Sequence, residues 1–132
     1  MILGNFMQFG NFKLLVLFFL LSNFGFSQAL EDQIYDAVDT FVANSNLKTL
    51  DILNEKEAVF ATQVKTFDEQ LALVILYCNK GAFETKKNIN KEAVISYEKA
   101  WKLYDKNKLS NYDIIEYCLK PLGTLYTKLG NY

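Results

Sequence analysis

Histidine and arginine are both absent from the 132 residues, and each absence removes a class of function. Without histidine no Ser-His-Asp or Cys-His arrangement can be assembled, and the commonest metal ligand and neutral-pH acid/base is missing. Two cysteines alone do not complete a four-ligand structural zinc site of the Cys/His type. Paired carboxylates remain an option in principle, but no pair stands in a stretch apolar enough to raise one of the two pKa values. Without arginine, and with lysines and acids interspersed at a formal net charge of −1, the chain lacks the basic stripe that nucleic acid calls for. The expectation is a protein that is not an enzyme, with no cofactor, no metal and no nucleic-acid partner.

Proline occurs once and glycine six times, and no run of period-two alternation is long enough to seed a sheet. Secondary structure should therefore be helical throughout and the fold all-α. Half of the residues are apolar, so 132 residues have room for one domain with a core.

The one long apolar run is LLVLFFLL, Leu14 to Leu21. It follows Lys13 and precedes the small-x-small triplet Gly25-Phe26-Ser27. Its uninterrupted core falls well short of the ~20 residues that span a bilayer. Residues 1–27 read as a secretory signal peptide cut near Ser27/Gln28, giving an exported protein, periplasmic or secreted. A membrane enters only through this segment if it stays uncleaved, since the apolar stretch extends through Phe24 and Phe26. No cysteine follows the cut as a lipoprotein would require; Gln28 stands there.

Beyond the cut, residues 28–66 predict a pair of helices. Leu30, Ile34, Val38, Phe41 and Val42 form one stripe opposite Glu31, Asp32, Asp36 and Asp39, which suits the positive end of a helix over 29–43. Asn44-Ser45-Asn46 is the turn. A less regular helix over 47–63 offers Leu50, Leu53, Val59 and Phe60 to the core. Thr66 or Asp68 then caps a third helix, buried through Leu71, Val74, Ile75 and Cys78 and apolar nearly all round from Leu71 to Tyr77. Such a helix is normally sandwiched between neighbours. Asn90 is placed as the cap of a fourth, with Ile89 set to staple against Val94. Ser110 with Asp113 makes a near capping box for a fifth. Pro121 predicts a kink in that helix, with a split at Lys120 as the alternative. Gly130-Asn131 is a helix stop.

Two spacings organise the second half. Ala93, Tyr97 and Ala100 fall at i, i+4 and i+7, and Leu119, Leu122, Gly123 and Tyr126 at i, i+3, i+4 and i+7, each a single helix face. The second set resembles the tetratricopeptide (TPR) pattern W-x2-L-G-x2-Y with Leu119 in the tryptophan's place. The first resembles its A-x3-F half with Tyr97 for phenylalanine. Gly81 precedes Ala93 by the 12 residues that separate the matching glycine and alanine of a TPR, although Lys80 stands where leucine is usual and Glu84 where tyrosine is. Gly81 and Gly123 are 42 residues apart, longer than the usual ~34.

The resemblance implies antiparallel helix pairs of a right-handed solenoid. About five helices are expected, with TPR-like repeats over 67–132 and the last incomplete after its first helix. The same 12-residue step from Gly123 passes the last residue, so the chain reads as the N-terminal piece of a longer solenoid. Ile115, Leu122 and Tyr126 would then be partly uncovered and open to self-association. The combination with the leader is similar to the start of secreted bacterial TPR proteins carrying a C-terminal CHAT domain, a caspase-like peptidase. None of the peptidase motif is present, so Cys78 and Cys118 inherit no catalytic role. They are either two buried thiols acting as small hydrophobes or, in an oxidising compartment, a disulfide.

The family implies a scaffold that holds a protein or peptide in a groove lined by the first helices of successive repeats. By helical spacing around Gly123 the groove side comprises Tyr117, Lys120, Thr124, Thr127 and Lys128, with Ile75, Ala82 and Lys86 from the preceding repeat. Its lysines suit a carboxylate-bearing ligand. The alternative functions are the regulatory N-terminus of a CHAT-type peptidase and a nonfunctional fragment.

Overall fold

The computed structural model describes residues 28–130. The expected leader and Asn131 of the expected stop lie outside them. Five α-helices follow one another: α1 Leu30–Ala43, α2 Leu47–Gln63, α3 Phe67–Lys86, α4 Asn90–Lys106 and α5 Lys120–Leu129, the last entered through a π-helical turn at Ile115–Leu119. The described residues hold no strand, and the fold is all-α. None of the described helices is long and apolar enough to cross a membrane.

Local chemistry sets most of the helix starts. Ahead of α2, the Asn46 side chain accepts from the Thr49 N–H at 2.9 Å and Thr49 Oγ1 accepts from the Asn46 N–H at 2.9 Å, a reciprocal capping box. Thr66 rather than Asp68 caps α3. Its Oγ1 accepts from the Glu69 N–H at 3.2 Å, and Glu69 Oε2 accepts from the N–H groups of Thr66 and Lys65 at 3.0 and 2.8 Å. Those backbone donors hold the Glu69 carboxyl below the usual carboxylate range.

Two expected caps are corrected. Asn90 does not cap α4: it already lies in the first turn, Ile89 occupies the cap position, and Asn90 Oδ1 is buried without a partner. The chain enters through the left-handed Asn88 (φ 61°), and Ile89 packs on the core, so an apolar anchor fixes the start where a polar cap was expected. Likewise Ser110 does not open the last helical stretch. Asp113 does, its Oδ1 accepting from the Glu116 N–H at 3.1 Å.

At Pro121 the helix neither stops nor splits; the chain stays helical from Ile114 through Leu129. The irregularity sits ahead of the proline, where the Lys120 N–H reaches back five residues to the Ile115 carbonyl. Pro121 follows directly in the first turn of α5, so the widened turn comes immediately before the residue that supplies no N–H. Gly130 closes α5 in the left-handed conformation, φ 74°, which only glycine adopts without strain.

Helix α3 is the centre. It packs against α1, α2 and α4, and Ala72, Leu73, Val74, Leu76, Tyr77 and Cys78 are all buried, so little of that stretch faces water. Phe41 of α1 meets Phe83 of α3 edge-to-face at 5.2 Å. The α3–α4 pair is the most extensive contact, and it is antiparallel: Gly81 lies opposite Tyr97, and three residues on Glu84 meets Ser96. Ala93 and Ala100 are both fully buried there, as small residues must be for two helix axes to approach closely.

The buried stripes are narrower than the periodicity predicts. Val42 and Val59 are exposed (56% and 54%), while Leu71 and Ile75 are half-buried. Of the three residues expected to be uncovered, Ile115 is exposed and Tyr126 half-buried, but Leu122 is buried. It sits under α4, which suffices to cover it.

Candidate partner-binding surfaces and a buried polar seam

Lys80 and Glu84, the two charged residues at positions where leucine and tyrosine were expected, are both buried, at 7% and 2% exposure. One helical turn apart on α3, they begin a polar seam across three helices. Lys80 Nζ donates to Glu57 Oε2 of α2 at 3.0 Å, and Glu57 is itself 94% shielded. Lys99 of α4 approaches the other Glu57 oxygen at 3.7 Å and lies 5.7 Å over the Tyr77 ring. Glu84 accepts from the Ser96 hydroxyl of α4.

Burial pushes the Glu84 carboxyl up, against the opposing pull of Ser96 and Lys80, and Glu57 adds to the rise. Burial, then Glu57, also pushes the Tyr77 phenol to about 12. The expectation that no carboxylate pair occupies a low-dielectric setting is therefore corrected: Glu57 and Glu84 do, with Lys80 between them. Neither carboxylate lines the grooves described below; the seam is ion-paired packing in which Glu57 Oε2 is hydrogen-bonded and Glu57 Oε1 has only Lys99 at 3.7 Å. A Lys/Glu pair one turn apart inside an apolar helix was the signal available in the sequence; its partner Glu57 carried none.

Cys78 and Cys118 are free, buried thiols in contact with one another. Cys118 Sγ donates to the Tyr97 carbonyl at 3.2 Å. The neighbouring Cys118, and then burial, push the Cys78 thiol up, so it holds its proton at neutral pH.

Each residue expected on the partner groove is exposed except Ile75, which is half-buried. Much of their polar capacity is already used within their own helix. Lys120 Nζ pairs with Glu116 at 2.7 Å, and the hydroxyls of Thr124 and Thr127 donate to the carbonyls of Lys120 and Gly123, each at 3.1 Å. The Tyr117 ring stacks on Tyr112 with centroids 5.5 Å apart. Lys128 stands in the last turn of α5 and Lys86 in that of α3. Ala82 and Lys86 line a shallow groove of about 270 Å³, but with Phe41, Val42 and Ser45 of α1 rather than with the α5 residues.

A larger groove of about 650 Å³, missed by the repeat reasoning, runs between α4 and α5. Ile95 and Trp101 of α4 and Leu122 and Tyr126 of α5 line it, with Lys99, Lys102 and Lys106 along α4. The Tyr126 hydroxyl donates to Glu98 across it, and that bond is the main reason the phenol is pushed to about 12. Trp101 and Tyr104 stack at 6.4 Å and pack on the core.

No family model matches the chain, and no curated protein or solved structure matches it.

Proposed function

We propose that this chain is a helical-repeat scaffold of the TPR type, exported after cleavage near Ser27/Gln28, that binds another protein and performs no chemistry of its own. The observation that carries this reading is the approach of Gly81 to Tyr97, with Ala93 and Ala100 buried beside it. Small residues at these spacings bring α3 and α4 together as the two helices of a repeat. Tyr117, Thr124 and Lys128 on one helix and Ala82 and Lys86 on another are left exposed. An exposed tyrosine among lysines suits a partner that brings an extended or helical segment with carboxylates.

The test is site-specific photocrosslinking in the native cell, with the reactive group at Tyr117 or Thr124 and a control at Thr62 on the outer side of α2. The reading predicts a discrete protein adduct from the first two positions only, reduced when Lys86 and Lys128 are both changed to glutamate. Equal labelling from Thr62, or no discrete adduct from either face, contradicts it.

A further inference from the structure

Charge is distributed unevenly along the chain: residues 28–66 carry seven carboxylates against three lysines, and residues 67–132 eight against ten. The imbalance is concentrated on two helix faces. On α1, Asp32, Asp36 and Asp39 fall at i, i+4 and i+7 and are all exposed. On α4, Lys99, Lys102 and Lys106 fall at i, i+3 and i+7, are all exposed, and edge the α4–α5 groove. Each stripe spans about 10.5 Å of helix axis, seven residues at about 1.5 Å, so the two charge rows have the same length.

We propose that the chain self-associates head to tail, the aspartate stripe of α1 in one copy lying along the lysine row of the α4–α5 groove in another. The apolar surfaces match as well. Val42, exposed on α1 one turn beyond Asp39, meets a groove whose floor includes the exposed Ile95 and the half-buried Trp101. Within the copy, the acids near the lysine row are already engaged: Glu98 accepts from Tyr126, and Asp105 lies 3.7 Å from Lys108. Lys99 only approaches Glu57, at 3.7 Å, and its side chain is 49% exposed, so it stays available beside Lys102 and Lys106. On α1, Asp36 accepts from the Gln28 side chain, leaving Asp32 and Asp39 for the second copy. Repeated head to tail, the contact is heterologous and builds a ring or a longer oligomer. The α4–α5 groove shares no residue with the proposed partner face, whereas Val42 borders Ala82 and Lys86 of that face, so the charge-reversal variants at Lys102 and Lys106 are the ones that test this contact alone.

The test is sedimentation velocity across a concentration series on the full chain and two charge-reversed variants, Lys102→Glu/Lys106→Glu and Asp32→Lys/Asp39→Lys. All four positions are exposed, and circular dichroism checks that both variants keep wild-type helicity. The wild type should associate with rising concentration and dissociate as salt is added. Each variant alone should associate at least about tenfold more weakly, because both would set like charges face to face. A one-to-one mixture should recover wild-type association, since every contact in it is again between opposite charges. A wild type that is monomeric throughout overturns the proposal and assigns the groove to another occupant. Association that both variants retain, or a mixture that fails to recover it, overturns it too.

Discussion

A side chain as small as a methyl at position 81 would stand 2.9 Å from the Tyr97 ring carbons Cε2 and Cζ. Tyr97 is itself 2% exposed, so the ring cannot step aside, and the glycine sets how closely α3 and α4 approach. Two effects of Gly81→Ala oppose one another: alanine favours the helix by about 1 kcal/mol, while overpacking a closed core costs about 1–3 kcal/mol. The expected result is a net loss of about 1 kcal/mol in urea unfolding, and a larger one for Gly81→Val. In a Tyr97→Leu background the alanine step should cost nothing, and an undiminished penalty there would place its origin elsewhere.

The polar seam should respond asymmetrically to mutation. Lys80→Met leaves Glu57 and Glu84 facing a closed interior with only the half-exposed Lys99 nearby, and stability should fall by about 3 kcal/mol. Adding Glu57→Leu removes the orphaned charge and should restore part of that loss. Chemical denaturation of the two singles and the double gives the coupling directly.

Glu84 makes its own pH signature. Its carboxyl pKa is raised in the folded state, so the native protein holds that proton more tightly than the unfolded chain does. Its contribution is complete below the unfolded value and is lost as pH rises through the raised one. Glu84→Gln keeps an acceptor for Ser96 and carries no charge. Its Tm should match the wild type in acid and exceed it at neutral and alkaline pH, where a wild-type advantage would refute the assignment.

Five phenols supply an alkaline limit, Tyr35 and Tyr112 among them, both raised chiefly by burial. Tyr77 and Tyr97 are pushed to about 12 chiefly by burial, and Tyr126 chiefly by the Glu98 carboxylate, against an ordinary value of 10.0. Because the neutral forms are favoured in the native state, their contribution is intact below pH 10 and is lost towards pH 12. Phenolate absorbance should rise in step with unfolding across that window, and Tyr126→Phe should remove the component due to Glu98.

Much of this architecture is readable from residue order, for reasons that also mark where reading stops. The start of α2 follows from Asn46 and Thr49, whose capping chemistry is local, and the end of α5 from Gly130. Gly81, Ala93 and Tyr97, singled out by spacing, are all buried, and Gly81 meets Tyr97 across the most extensive helix contact. Val42 and Val59 mislead because hydrophobic periodicity marks a face but not whether a neighbour covers its edge. Asn90 misleads because capping depends on where the backbone turns, and Ile89 decides that through packing. Glu57 is the deepest miss: an acid reads as solvated, and its partner Lys80 is 23 residues away on the next helix. The candidate partner residues on α5 are exposed as spacing implies, yet local sequence did not reveal that Lys120, Thr124 and Thr127 are engaged within their own helix.

The most direct test of the account is thermal unfolding of the chain followed by circular dichroism, with mass measured in parallel by light scattering. The five described helices, three packed around α3 and α5 carried on α4, should lose their helical signal in one cooperative transition, with a lower midpoint for Gly81→Val and Lys80→Met. A gradual, featureless loss of helicity that neither substitution shifts would contradict it.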